Sequence, residues 1–102
     1  MFENCLVIAG QIASPPVRKT SPAGIPHCYL VLEHSSEQIE AGLTRRVWCR
    51  IRVIASGQTI TAQTHNLELG MSIKVSGFIQ RQEMANGVAQ LVVHARQIER
   101  ID

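Results

Sequence analysis

The sequence predicts an all-β domain, and three observations support that class. Most of the chain consists of short alternating or apolar runs rich in β-branched residues, separated by clusters of turn residues. Two of these runs contain an internal glycine, Gly10 and Gly77, a residue that often marks a bulge or a sharp bend in a strand. The 102 residues are 45% hydrophobic and 18% charged, a composition typical of one folded domain spanning residues 1–102.

The turn signals divide the chain into five strands. The predicted strands are 4–13, 25–34, 44–55, 71–80 and 91–101. The proline-rich segment 14–24 and the polar segment 35–43 are predicted as loops. Segment 56–70 has turn signals at both ends and weak helical character, which predicts at most one short helix. Within 81–90, the dipeptide Asn86-Gly87 predicts a hairpin turn.

Five strands, a short helix between the third and the fourth, and glycines at the expected bends indicate a small closed barrel. Closure removes the exposed strand edges that favour aggregation in a chain so rich in β segments. The five-stranded Greek-key oligonucleotide-binding (OB) barrel has this order of elements. A β-sandwich is the competing architecture, but it usually needs about seven strands.

The only tryptophan, Trp48, lies in the third predicted strand, TRRVWCRIRV at 44–53. Alternate side chains of a strand face opposite ways. One face would carry Val47, Cys49, Ile51 and Val53, and the other would carry Arg46, Trp48, Arg50 and Arg52. Burying Trp48 would expose the apolar set, at roughly 1.5–3 kcal/mol for each large aliphatic side chain. The pattern therefore predicts an outward indole, unless a bulge reverses the parity locally.

An outward-facing indole at Trp48 is compatible with two roles. Aromatic and arginine side chains are common at protein interfaces, so Trp48 could be a dimer contact. The interpretation that the pattern favours is a stacking platform, where an unpaired base lies on the indole and neighbouring arginines hold phosphates. Four of the ten basic residues lie within eight positions, at Arg45, Arg46, Arg50 and Arg52. Such clustering around an aromatic residue favours a nucleic-acid surface, although the net charge is only +2.

Other functional classes lack support in the sequence. No apolar run reaches the ~18 residues of a membrane span, and the N-terminus lacks signal-peptide features, so the expected location is the cytoplasm. The three cysteines, Cys5, Cys28 and Cys49, have no CxxC spacing and are interpreted as small buried thiols without a disulfide role. The scattered histidines do not suit a metal site. No catalytic spacing is present, so neither an enzyme nor a cofactor is expected.

Four segments carry a resemblance to a known family. They are PVRKTSPAGIPHCYLVLEHSS (16–36), EAGLTRRVWCRIRVIASG (40–57), IKVSGF (73–78) and HARQIERID (94–102). Through them the whole chain resembles the PriB-type primosomal replication proteins, relatives of the bacterial single-stranded DNA-binding proteins. The resemblance implies a homodimeric OB-fold protein without enzymatic activity that binds single-stranded DNA during restart of stalled replication forks. It also implies the partners PriA helicase and DnaT, with single-stranded DNA-binding protein nearby.

The family pattern transfers to this chain only in part. Its aromatic residue on the third strand is Trp48, its upstream basic residue is Arg45, and its basic pair after the first strand is Arg18 and Lys19. A second aromatic position is here Leu43. A basic position after the second strand is here Ser35.

The largest departure from the family is the loop 81–90, where well-known members carry several lysines. Here Arg81 is the only cation and Glu83 opposes it. We therefore expect charge to have moved from the loop to the third strand, with weaker binding overall. The predicted DNA contacts are Trp48, Arg46 and Arg50, with Arg52 at the margin and Arg45, Arg18, Lys19 and Arg81 as peripheral charge. The alternative is a protein-interaction adaptor with vestigial DNA binding.

Overall fold

The computed structural model describes residues 1–102 and contains six strands and one helix. They are β1 (Leu6–Ile12), β2 (Val17–Thr20), β3 (Pro26–Glu40), β4 (Leu43–Ser56), α1 (Gln58–Ala62), β5 (Ser72–Glu83) and β6 (Ala89–Arg100). No helix in the chain has the length and apolar character needed to cross a membrane.

Five of the strands close into a barrel in the order β1–β5–β6–β4–β3. Closure is made by the antiparallel pairing of Gln11 with Glu33 and of Ile12 with Leu32 between β1 and β3. The β4–β6 pairing is parallel, and the others are antiparallel. The predicted five-stranded OB barrel is confirmed, and so is the single short helix between the strands that carry Trp48 and Gly77.

The barrel interior is filled by the apolar side chains that alternate along the strands. The core residues are Ile12, Cys28, Leu30, Leu32, Val53, Ala55, Ile60, Ile73, Val75, Val93, Ala95 and Ile98. Since only every second side chain of a strand can enter this core, the intervening residues face outward.

The two internal glycines lie where strands approach each other closely. A Cβ at Gly10 would collide with the backbone of Glu33, at the edge where β1 meets β3. A Cβ at Gly77 would collide with the backbone of His94, beside a register shift between β5 and β6. The predicted bulge is confirmed at Gly77, where the register of the β5–β6 pairing shifts. At Gly10 the absence of a side chain instead allows β1 to approach β3, so that the barrel can close.

The segment 35–43 was predicted as a loop, and that prediction is wrong. Strand β3 continues to Glu40, a two-residue turn follows at Ala41 and Gly42, and β4 begins at Leu43. Both turn residues have positive φ, 54° and 75°, as a tight two-residue hairpin requires. Residues 35–48 form a two-stranded extension that we call the arm. Its side chains are mostly exposed on both faces, so the alternation that marks a half-buried strand is absent.

Three smaller differences also concern strand ends and burial. Residues 17–20 form β2 on the edge of β3 rather than part of a loop. The β5–β6 turn is shorter than predicted, because strand pairing reaches Glu83 and resumes at Ala89, but Gly87 has the positive φ of 83° that the turn prediction requires. All three cysteines are free, yet only Cys28 is buried; Cys5 is exposed because it precedes β1 and lies outside the barrel.

Candidate nucleic-acid interface

Trp48 lies on the outer face of the β3–β4 hairpin, in the arm. Its side chain is 58% exposed, while Val47 and Cys49 on either side are half-buried. The residue opposite it on β3 is Ser35, whose small side chain leaves the indole open. The parity prediction for Trp48 is confirmed, and neither the barrel core nor any neighbouring strand covers the ring.

Two arginines flank the indole on the same outer face. Arg50 lies with its Cζ 5.9 Å from the centre of the Trp48 ring. Its guanidinium also forms an ion pair with Glu33, directly across the hairpin, with Nη2 2.9 Å and Nε 3.0 Å from Oε2. Arg46 stands opposite Glu37 but forms no ion pair with it.

The Arg50–Glu33 pair does not prevent Arg50 from holding a phosphate. The arginine side chain is 58% exposed and the glutamate 37%, and exposed ion pairs are worth only about 0–1 kcal/mol. A phosphate can therefore replace Glu33 as the partner of Arg50 at small cost. Glu33 and Glu37 nevertheless reduce the positive potential of this face.

Arg52 and Lys19 lie beyond the arm, on the outer surface of the barrel. Arg52 faces outward from β4 in register with Val31, and Lys19 faces outward from β2 in register with His27. Both line a groove of about 390 Å³ on the outer surface of the barrel. The predicted basic residues of β4 thus continue into a concave surface, which the sequence did not indicate.

The groove also contains an aromatic residue that the sequence analysis missed. Tyr29, the only tyrosine, alternates on β3 with buried Cys28 and Leu30 and therefore faces outward. Lys19 Nζ lies 5.8 Å from the centre of its ring. Alternation along the second predicted strand, with Cys28 and Leu30 facing inward, is the sequence signal that places Tyr29 on the outer face.

Three of the predicted contacts lie elsewhere. Arg18 points away from Lys19 and donates two hydrogen bonds to Thr64, to Oγ1 at 2.7 Å and to the main-chain oxygen at 2.5 Å, so it ties β2 to the segment after α1. Arg45 lies on the opposite face of the arm from Trp48 and pairs with Glu40 at 3.0 Å. Arg81 alternates with the groove residue Gln82 on β5 and so faces the other way.

An aromatic cluster occupies the outer face of β5 and β6. The rings of Phe78 and His94 are stacked 5.1 Å apart, and Arg96 Cζ lies 5.0 Å from the centre of the Phe78 ring. Burial lowers the pKa of His94 from its ordinary value of 6.5. No group of three or more histidine, cysteine or carboxylate side chains converges to hold a metal ion.

A closed five-stranded barrel of this topology is an oligonucleotide-binding (OB) barrel, and an open indole among arginines lies on its outer sheet. In agreement, residues 4–97 match the model described as "another single-strand binding protein family". The chain is 54% identical over 102 residues to replication restart protein PriB of Photorhabdus laumondii, covering 100% of this chain and 97% of that protein. It is 50% identical to PriB of Proteus mirabilis, with the same coverage. The chain therefore belongs to the PriB family of replication restart proteins, within the single-strand binding proteins.

Solved structures agree with the fold. PriB from Ralstonia solanacearum superposes with a TM-score of 0.81 at 24% identity, covering 97% of this chain and 98% of that one. The single-stranded DNA binding protein from Thermus aquaticus superposes with a TM-score of 0.80 at 22% identity, covering 98% of this chain and 50% of that one. At these identities the superpositions support the barrel alone.

Proposed function

We propose that this protein binds single-stranded DNA on the outer face of β3 and β4 during replication restart. The observation that carries the proposal is the exposed face of Trp48, opposite Ser35 and between Arg46 and Arg50. A base stacked on such a ring is worth ~1–3 kcal/mol, and every base offers an aromatic face, so sequence preference is slight. The family relationship supports the same ligand class.

The phosphates are neutralised by basic residues that share this face. Arg46, Arg50, Arg52 and Lys19 follow one path from the arm to the groove. Each neutralised phosphate contributes about −0.7 to the slope of log K against log salt for single strands. Four contacts therefore predict a slope of about −2.8 per protomer.

The turn between β5 and β6 adds little to this charge. Residues 84–88 contain no lysine or arginine, and the hydrogen bond from Met84 N to Val88 O, at 2.8 Å, closes them tightly. Arg81 faces away from the groove. This geometry supports a shallow salt dependence and modest affinity, with the sheet rather than the loop as the main electrostatic surface.

We further propose a cytoplasmic homodimer without enzymatic activity that connects PriA helicase, DnaT and single-stranded DNA-binding protein at stalled forks. The family relationship supports this wider proposal. Sedimentation of the free protein tests the dimer, and co-sedimentation with each partner tests the connections. A monomer at micromolar concentration would contradict the homodimer without affecting the proposed DNA surface.

A second candidate function, a protein-interaction adaptor, has one observation in its favour. The tip of the arm carries two exposed apolar side chains, Ile39 at 80% and Leu43 at 63%. Neither is accounted for by the path of basic residues, and both are suited to packing against a partner protein. In that case DNA binding would be weak or vestigial.

One titration separates the two functions. Trp48 is the only tryptophan, so its fluorescence reports on the proposed stacking surface alone. Addition of oligo-dT at moderate salt should quench it strongly, and a duplex of equal length serves as the control because its bases are not available for stacking. Absence of quenching, together with a measurable complex with PriA helicase or DnaT, would favour the adaptor.

A further inference from the structure

The groove that Arg52 and Lys19 line on the outer surface of the barrel combines features of a ligand site. It lies between β2, β3, β4 and the end of β5, and its lining includes Lys19, Tyr29, Arg52 and Gln82. Its volume, about 390 Å³, falls within the ~300–1,000 Å³ of typical small-molecule sites. It therefore offers one aromatic ring, two cations and one amide on a concave surface.

The amide is the least expected feature of the groove. The side-chain oxygen of Gln82 is buried and has no hydrogen-bond partner. Buried polar atoms are nearly always paired, and an unpaired one costs about 1–3 kcal/mol. Because Gln82 lines the groove, rotation of its side chain would present this oxygen to a ligand, which would supply the missing hydrogen bond.

We propose that the groove is a second base-binding subsite, in which an unpaired base stacks on Tyr29 and donates a hydrogen bond to Gln82. The inference rests on the proposed function, because it extends the same DNA path. Unpaired bases expose N–H groups on their Watson–Crick edges, whereas these groups are occupied in a duplex. The subsite therefore selects unpaired strands.

Lys19 does not prevent stacking on Tyr29. An exposed cation–π contact is worth about 0.5–1 kcal/mol, whereas a stacked base is worth ~1–3 kcal/mol. The base displaces the Lys19 ammonium, which is then available to a phosphate together with Arg52. The two cations of the groove thus neutralise the backbone on either side of the bound base.

The distance between the two aromatic residues suits one continuous strand. Tyr29 pairs with Ile54, which is six residues from Trp48 along β4, a separation of ~20 Å at ~3.3 Å per residue. A stacked strand rises ~3.4 Å per nucleotide, so about six nucleotides, or fewer if the strand is stretched, connect the two rings. That length lies within the ~4–16 nucleotides bound by one OB fold.

The aromatic half of the subsite is tested with Tyr29→Leu, with Tyr29→Phe as the rescue and Phe2→Leu as the matched control. Phe2 is fully exposed at the N-terminus, outside the groove. We expect Tyr29→Leu to weaken binding of a fluorescently labelled dT oligonucleotide about 5- to 150-fold, while the other two variants bind as the unmodified chain does. Unchanged binding by a folded Tyr29→Leu would overturn the subsite.

The hydrogen bond is tested by combining Gln82→Met with an oligonucleotide of N3-methylthymine, which lacks the imino N–H. The unmodified chain should bind the methylated strand about 2- to 12-fold more weakly than dT, and Gln82→Met should not distinguish the two strands. Gln82→Met should also raise the thermal midpoint of the free protein, because it removes an unpaired buried oxygen. Equal discrimination by both proteins would refute the role of Gln82.

Quenching of Trp48 distinguishes failure of this inference from failure of the proposed function. If Tyr29→Leu and Gln82→Met leave affinity unchanged while dT still quenches Trp48, the subsite is wrong and the stacking surface stands. If dT neither binds nor quenches in the unmodified chain, both are wrong.

Discussion

The open indole of Trp48 provides the most direct perturbation of the proposed interface. Trp48→Ala removes the stacking platform and leaves Arg46 and Arg50 on the same face. We expect a loss of ~1–3 kcal/mol in single-strand binding, or about 5- to 150-fold in the dissociation constant. The assay is fluorescence anisotropy of a labelled dT oligonucleotide at fixed salt, because the variant has no tryptophan of its own.

The expected cost to stability is much smaller. Trp48 is 58% exposed and faces Ser35 across the hairpin, so its truncation leaves no cavity in the core. Surface substitutions of this kind usually change the free energy of unfolding by no more than about 0.5 kcal/mol. A urea titration of both proteins verifies that the variant remains folded.

Two comparisons make the result specific. Trp48→Phe keeps an aromatic face and should recover most of the affinity, whereas Phe2→Ala removes a fully exposed ring outside the interface and should have no effect. If Trp48→Ala is folded and binds with the affinity of the unmodified chain, base stacking on this strand is refuted.

The other predictions concern charge, anchoring and pH. Arg46→Gln should weaken binding and reduce the magnitude of the salt slope by about 0.7, whereas Arg45→Gln, on the opposite face of the arm, should change both much less; equal effects in salt titrations would contradict the one-sided interface. Arg18→Met should lower the free energy of unfolding by about 1–3 kcal/mol because the buried Thr64 loses both of its guanidinium contacts, and an unchanged urea midpoint would argue against this anchoring role. Because burial lowers the pKa of His94 below 6.5, the unfolded chain binds the extra proton first, so stability should be constant above about pH 6.5 and fall as the pH decreases from there toward the folded-state pKa. His94→Gln should lose this part of the pH dependence in urea midpoints measured at several pH values, and an identical profile would show that another group is responsible.

The direction of the Trp48 side chain could be predicted because alternation on a half-buried strand is a local property. Inward Val53 and outward Arg52 are neighbours, and exchanging the two faces would expose the apolar one. The prediction for the glycines was confirmed by a register shift only at Gly77, whereas Gly10 allows the close approach of β1 to β3.

The arm could not be predicted in this way. Residues 35–43 carry polar side chains on both faces, and no core lies above or below them. Their sequence therefore lacks the alternation of apolar and polar residues that predicts a strand. Their strand structure comes from pairing with β4, from Ser35 opposite Trp48 to Glu40 opposite Leu43. The hydrophobic pattern of one strand does not indicate which other strand its backbone will hydrogen-bond to.

By itself, the sequence determined the number of barrel strands, the short helix, the inner and outer faces of the strand carrying Trp48, and membership of a family. Only the tertiary structure decided which outward residues meet. Lys19, Tyr29, Arg52 and Gln82 come from four strands, and the registers of the β2–β3, β3–β4, β4–β6 and β5–β6 pairings bring them to one groove. Arg18 and Lys19 separate because residues 17–20 form a strand, and adjacent residues of a strand point to opposite faces. Residue type and spacing set the direction of a side chain, but its neighbours depend on pairing between segments distant in the chain.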